Sequence, residues 1–479
     1  MFVIHASMEC YPAAKTGGLG DVVGALPKYL HGDGDTCFVV IPKYRTKWFE
    51  VQDFHTVFEG RLEQGGRSFG FRIQQVITFT EGFPLFVVDV PGRLDRNGIY
   101  SDNASGFNYT DEIERYVAFQ TAILDWINSF DTLPNIVHCH DHHTALIPFM
   151  MTSCPKYERL AKVPSVLTIH NGEYHGQNHF ANTRYLPPFY WNSVGLLEWN
   201  GVFNSLATGI KAAWKVTTVS QSYMQELMYN SGGLEPLIIR EEQKCIGILN
   251  GIDAEVWDPA KDPRIPFHYS SDSIQPGKQL NKKELCDLFK LDPQKPIISF
   301  IGRMVTEKGA DLLPDLFAHF LESRYDVQFV VLGTGERWMH QRFAELGQRF
   351  PSKCGVKLEY NENVAHLIYA GSEFILMPSR VEPCGLNQMY AMRYGTIPIV
   401  RAVGGLRDTV TDMSEPDGVG FRFYNFNLEE SIIAVDRAIE LFYENEKLFE
   451  VQQRVMNIDH SWNKAATNYK QIYKTLDQH

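Results

Sequence analysis

The sequence predicts an α/β fold of two doubly wound domains facing across a cleft. At 479 residues the chain exceeds what one hydrophobic core ordinarily organises. Short, continuous runs rich in Val and Ile recur along it, the mark of strands buried on both faces of a parallel sheet. Helix-length amphipathic segments separate these runs, so strand and helix alternate twice over.

The runs form two sets, at residues 38–41, 85–90, 136–140, 165–170 and 216–220, and then at 297–301, 329–333, 374–378 and 397–400. Between the second and third runs, Ile113, Tyr116, Phe119, Ile123, Ile127 and Phe130 recur at helical spacing and predict a packed crossover helix. Residues 61–71 read as a β excursion inserted in the first domain. A hinge is expected near 249–275, where Leu249-Asn250-Gly251-Ile252-Asp253 leads into a stretch with Pro259, Pro263 and Pro266 and no periodicity. The domains are therefore expected at 1–248 and 249–459.

Composition narrows the function. A formal net charge of −12 argues against an extended nucleic-acid surface, which needs clustered Lys and Arg. An anionic small molecule stays open as a substrate, because a few cations focused in one cleft override the global charge. The eight cysteines are scattered without a C-x-x-C pair, as expected of a cytoplasmic protein rather than a disulfide or zinc framework. Met1 is followed by Phe2-Val3-Ile4, with no basic region or cleavage site of a leader. No apolar stretch approaches the roughly 20 residues that span a bilayer.

Ligands of open α/β sheets sit outside the carboxyl ends of the strands, and five segments fall there. In Lys15-Thr16-Gly17-Gly18-Leu19-Gly20-Asp21, glycines let backbone N–H groups approach a ligand at a helix N-terminus, and Lys15 supplies a mobile cation. The spacing is not that of a P-loop, and a capping turn explains the glycines equally. His138-Cys139-His140-Asp141-His142-His143 suggests a metal at first reading. Alternation along a strand turns Cys139 away from His138 and His140, and no further pair completes a tetrahedral set, so polar groups lining a cleft are the expectation and no metal is assigned. In Thr168-Ile169-His170-Asn171-Gly172, a histidine at a strand end is either a structural residue, as lone histidines usually are, or a candidate to bond a sugar hydroxyl.

The other two lie in the second domain. Gly302-Arg303-Met304-Val305-Thr306-Glu307-Lys308-Gly309 carries two cations suited to clamping a diphosphate, or else a surface ion pair with Glu307. In Pro378-Ser379-Arg380-Val381-Glu382-Pro383-Cys384-Gly385-Leu386-Asn387, Glu382 precedes a helix. It stabilises positive charge on a sugar there, or merely complements the helix dipole. Val403-Gly404-Gly405-Leu406-Arg407-Asp408-Thr409 reads as a structural glycine turn.

In this order, the Lys-Thr-Gly-Gly-Leu, Leu-Asn-Gly-Ile-Asp, Gly-Arg-x5-Lys-Gly, Glu-Pro-Cys-Gly-Leu and Gly-Gly-Leu-x-Asp-Thr-Val segments resemble those of bacterial glycogen synthases and plant starch synthases over essentially the whole chain. The resemblance implies a metal-independent, retaining transferase of two Rossmann-like domains (GT-B), without cofactor. It would extend an α-1,4-glucan from ADP-glucose, or alternatively UDP-glucose, and residues 460–479 would pack back on the first domain. It further implies catalytic roles for His170, Arg303, Lys308 and Glu382. Lys15, Gly17, Gly18, Asp21, Asp141, Asn250, Cys384, Gly385, Leu386 and Asn387 would line the substrate site, with Tyr360 stacking on the base. Position 390 is Tyr where more distant retaining transferases place a second glutamate. A GT-B enzyme with a small acceptor and a non-catalytic glucan scaffold are the rival readings. The Lys15 and Glu382 segments speak against the first, and the intact charged set speaks against the second. Oligomeric state is left open.

Overall fold

The computed structural model describes residues 1–32, 34–323 and 325–478. It divides into two compact units. The first gathers residues 1–219 and 224–250 with the helix Trp462–Asp477, and the second gathers residues 220–223 and 251–461.

The first unit contains β1 (Phe2–Ala6), β2 (Thr36–Pro42), β3 (Phe54–Gln64), β4 (Arg67–Val76), β5 (Leu85–Asp89), β6 (Ile136–His140) and β7 (Ser165–Ile169). Three short strands follow, β8 (Gln177–Asn178), β9 (Glu198–Trp199) and β10 (Val202–Asn204), and then β11 (Lys215–Thr218) and β12 (Cys245–Gly247). The main sheet runs β12-β11-β7-β6-β1-β2-β5-β4-β3, while β8, β10 and β9 make a small sheet of their own. From β12 to β5 every pairing is parallel, and β6 and β7 are buried at every residue, as continuous apolar runs require. The β excursion is the antiparallel hairpin β3–β4. Its exposed and half-buried residues alternate because one face meets solvent, and Gly65 and Gly66, both at positive φ, close its two-residue turn.

The second unit carries β13 (Ile297–Ile301), β14 (Gln328–Leu332), β15 (Cys354–Lys357), β16 (Phe374–Met377), β17 (Ile397–Arg401) and β18 (Phe421–Phe423). All are parallel, in the order β15-β14-β13-β16-β17-β18. That is the doubly wound order of a Rossmann fold, with its winding reversed between β13 and β16. The first unit reverses likewise between β1 and β6. At such a point the two following connections leave on opposite faces of the sheet, and a crevice opens at the carboxyl ends between them.

Two aromatic clusters fix the cores that hold these edges in place. In the first unit, Trp462, Tyr469 and Tyr473 of the C-terminal helix pack with Val3, Val22, Leu26 and Leu30. In the second, Trp257 lies between His366 and Tyr390, with ring centroids 4.1 and 3.7 Å away. Tyr390 therefore spends its ring on packing. Asp262 beneath them accepts hydrogen bonds from His366 Nδ1 and Tyr394 Oη, each at 2.6 Å. Among the described residues no helix is long and apolar enough to cross a membrane, and all eight cysteines are free thiols.

The C-terminal helix should be indispensable to the first unit's stability. Trp462 is 2% exposed, and Trp462→Ala is expected to cost about 3–5 kcal/mol. Urea denaturation followed by a probe in the first unit reads this directly; an unchanged midpoint would refute the packing.

Candidate active site

At the β1–β6 edge of the first unit, the Lys15 loop is held from below by a buried acid. Glu9, 2% exposed, accepts hydrogen bonds from the Thr16 amide (2.6 Å), the Thr16 hydroxyl (2.8 Å), the Gly17 amide (3.1 Å) and the Tyr100 hydroxyl (2.7 Å). Four donors on one carboxylate compensate its burial and freeze the loop. Gly17 and Gly18 then open the helix Gly18–Leu30, and nothing stands within 4 Å of where a Cβ would point at either. The loop surface is open to a ligand there. Lys15 Nζ, partly exposed, pairs with Asp21 Oδ1 at 2.6 Å in the first turn of that helix.

Directly after β6, Asp141 takes a left-handed backbone conformation (φ 57°), which Asp and Asn tolerate better than most residues. Its Oδ1 accepts the amides of His170 (2.7 Å) and Asn171 (3.3 Å) at the end of β7, so one carboxylate ties two strand ends together. Burial raises its pKa from the ordinary carboxylate value to about 7, against the opposing pull of those two amides. Asn250, 6% exposed, keeps its side-chain oxygen without a protein partner.

The histidines of β6 are buried polar groups with partners. His138 and His140 share one face of the strand and stack at 4.4 Å. His138 bonds Tyr473 Oη and Thr168 Oγ1, both at 2.6 Å. His140 Nε2 meets His5 Nδ1 at 3.0 Å, and His140 Nδ1 meets His170 Nε2 at 2.9 Å. Nitrogens of His5, His138 and His140 fall within 4.8 Å of one another. Both ring nitrogens of His138 and of His140 have protein partners.

In the second unit the decisive pair sits at the β13–β16 reversal. Lys308, on the loop after β13, meets both carboxylate oxygens of Glu382, on the loop after β16, at 2.8 and 2.9 Å. Ser379 donates to Glu382 Oε2 at 2.9 Å. The Glu382 side chain is 9% exposed, while Arg303 reaches outward at 60% and pairs loosely with Glu307 at 3.6 Å. The helix after Glu382 starts only at Asn387, so the acid is not in its first turn and the dipole reading does not explain it. Cys384 is buried, Gly385 has a positive φ of 70°, and Leu386 occupies the N-cap. Asn387 turns its amide to the Ile301 carbonyl at 2.7 Å and bolts the two loops together. The glycine turn at 403–409 braces the acid's backbone: Gly405 donates to the Glu382 carbonyl at 3.0 Å, and a Cβ on Gly404 (φ 45°) would strike that same carbonyl. Tyr360, after β15, is 82% exposed.

Comparison with known proteins decides what these edges belong to. Residues 2–240 match the starch synthase catalytic domain, and residues 282–454 match the glycosyl transferases of group 1. A glycogen synthase of Flavobacterium johnsoniae is 45% identical over 479 residues, covering 100% of both chains. The chain belongs to the glycogen and starch synthase family. A glycogen synthase of Clostridioides difficile is 36% identical, covering 99% of this chain and 100% of that one. Among solved structures, the catalytic domain of starch synthase IV from Arabidopsis thaliana, bound to ADP and acarbose, superposes with a TM-score of 0.88 at 30% identity, covering 100% of this chain and 99% of that one. Sucrose-phosphate synthase from Thermosynechococcus elongatus has a TM-score of 0.61 at 15% identity, covering 99% and 98%, and shares the fold alone. This member of the synthase family is thus a glucosyltransferase with the GT-B fold.

Several supporting groups of this synthase-family site escape sequence reasoning. Glu9 is a lone acid in an unpatterned loop, and its partners are mostly backbone amides and hydroxyls that leave no spacing signal. His5 lies inside an apolar strand and reads as core. Ser379 and the 403–409 turn were visible as segments, but their attachment to Glu382 depends on strand order.

The raised pKa of Asp141 carries a sign. Its folded pKa (about 7) lies above its unfolded value (about 4), so the folded state holds the extra proton between them. Stability is therefore lost as pH rises from about 4 to about 7, and the full penalty stands above. Asp141→Asn keeps the acceptor oxygen and the left-handed backbone while removing the charge. It should stabilise the protein at pH 8 by an amount on the order of 1–4 kcal/mol and leave it unchanged near pH 4. Thermal unfolding of both proteins across this range tests it, and a stabilisation independent of pH would contradict the assignment.

Proposed function

We propose that this enzyme transfers glucose from ADP-glucose to the non-reducing end of an α-1,4-glucan, with retention at the anomeric carbon. The observation that carries the reading is the two-point Lys308–Glu382 pair at the reversal of the second sheet, with Arg303 projecting to solvent from the same loop as Lys308. Cleaving a sugar–diphosphate bond develops negative charge on the phosphate and positive charge on the sugar. A lysine held against a fixed carboxylate, with a second cation reaching out from the same loop, suits both at once. In this reading Arg303 and Lys308 receive the diphosphate. Glu382, held by Ser379 and its braced backbone, orients the glucose and stabilises the oxocarbenium-like centre.

On the first unit, Lys15 and the amides at Gly17 and Gly18 contact the nucleotide sugar, with Asp21 setting the position of Lys15. His170 bonds a glucose hydroxyl. Asp141, and Asn250 through its unpartnered oxygen, complete the donor contacts. The backbone at Gly385 and Leu386 approaches the donor, Cys384 and Asn387 shape that segment, and Tyr360 offers an exposed ring to the base. The partners of Glu382 are a lysine and a serine, which favours attack by the acceptor on the face the diphosphate leaves. The C1–O bond to phosphate breaks, the bond from C1 to the acceptor's 4-oxygen forms, and the acceptor's proton passes to the departing phosphate oxygen. The ADP in the Arabidopsis relative supports the adenine donor, and unpaired thiols suit the reducing cytoplasm.

The test is nucleotide release from ADP-glucose and, separately, UDP-glucose, with glycogen as acceptor and no added metal. Preferential ADP release with chain elongation is expected. Preferential UDP release would overturn the donor, and no release from either would overturn the reaction. Lys308→Ala and Glu382→Gln should each lower kcat by about 10²–10³-fold in the same assay.

A further inference from the structure

Three buried imidazoles stand in series beneath the β1–β6 edge: His5, His140 and His170, which are 0%, 1% and 8% exposed. The two links, His5 Nδ1 to His140 Nε2 at 3.0 Å and His140 Nδ1 to His170 Nε2 at 2.9 Å, are both of hydrogen-bond length. Burial lowers the pKa of His5 and of His170 to about 3 and that of His140 well below its usual value, so all three rings are neutral near pH 7. A neutral imidazole has one N–H and one lone pair. Three rings thus hold three protons, two links use two of them, and the third must sit at one end of the series.

The two ends are not equivalent. The inner end is His5 Nε2, which is buried and has no hydrogen-bond partner. A proton there would be an orphaned N–H in the core, which proteins tolerate less readily than an orphaned acceptor. The outer end is His170 Nδ1, on the ring that the proposed function sets against the sugar. With the lone pair stranded inside, His5 donates to His140, His140 donates to His170, and the third proton falls on His170 Nδ1. We infer that His140, backed by His5, is a positioning residue that fixes His170 as its Nδ1–H tautomer, so that His170 presents a hydrogen-bond donor to a hydroxyl oxygen of the transferred sugar. The sugar contact rests on the function proposed above; the tautomer does not.

The inner rings are themselves clamped. His138 stacks on His140 and is held at both nitrogens by Tyr473 and Thr168, and Thr168 Oγ1 meets Thr217 Oγ1 at 2.6 Å. The His170 backbone is fixed separately by Asp141. Replacing His140 therefore releases the His170 ring while its main chain stays anchored.

The experiment is nitrogen-15 NMR of the full-length protein labelled at histidine, with the His170 signals assigned by their loss in His170→Gln. A protonated Nδ1 and a bare Nε2 are expected in the unmodified protein; a protonated Nε2 would overturn the inference. In His140→Leu the two tautomers should mix and kcat/KM for the nucleotide-sugar donor should fall about tenfold. His140→Asn, whose amide N–H replaces Nδ1–H, should restore the single tautomer and most of the rate. His5→Leu moves the buried end of the series to His140 Nε2, which by the same rule stays bare, so this variant should keep the Nδ1–H tautomer of His170. A single tautomer persisting in His140→Leu, mixed tautomers in His5→Leu, or mixed tautomers at full kcat/KM, would overturn the positioning role. His170→Ala turning over donor at the normal rate would instead overturn the sugar contact and leave the tautomer result standing.

Discussion

A parallel sheet covered on both faces has few places where polar side chains can gather without being stranded, and chief among them is the carboxyl edge of its strands. In each unit the winding reverses beside the first strand, between β1 and β6 and between β13 and β16, so successive connections diverge and the edge stays uncovered there. The residues argued above for chemistry issue mostly from those edges. The Glu9–Lys15 loop follows β1, Asp141 follows β6, the Arg303–Lys308 loop follows β13 and Glu382 follows β16. The apolar strands thus decide where charge is allowed to accumulate.

Having been brought there, the charges are kept in order by carboxylates with unequal duties. Glu9 is consumed by its own loop and by Tyr100, with four donors on two oxygens. Asp141 joins two strand ends and is left with a burial penalty that its two amides do not cancel. Glu382 faces a lysine and a serine. A desolvated lysine–glutamate pair is a weak source of net stability, since both ions lose water to form it. Its retention at a sheet reversal is better understood as preorganisation of opposite charges than as reinforcement of the fold.

Legibility followed sequence distance. The buried strands, the crossover helix Glu112–Asn128 and the β3–β4 hairpin announce themselves through hydrophobic period and paired glycines, all local properties. The glycine-rich and charged loops were recognisable for the same reason, and their order along the chain resembled one enzyme family. Pairings across the fold were not readable. Lys308 and Glu382 are 74 residues apart, and His138 and Tyr473 are 335 apart, and only the strand order and the C-terminal helix bring them together. The dipole reading of Glu382 failed because helix onset is set by the backbone at Cys384–Leu386, which composition does not disclose. Tyr390 carries no trace in the sequence of the Trp257 ring that claims it.

The C-terminal helix has a further bearing, on how the chain is made. Trp462, Tyr469 and Tyr473 belong to the same core as Val3 and Val22, yet a ribosome delivers them only after the whole of residues 251–461 has emerged. The core of the N-terminal unit, and the Tyr473 partner of His138, are therefore complete only once the unit encoded after it has been synthesised. Vectorial synthesis, which ordinarily lets the leading domain finish before the trailing one begins, cannot supply the whole of this leading core before the trailing unit is made. Until that helix is delivered, Val3, Val22, Leu26 and Leu30 lack the aromatic partners that bury them.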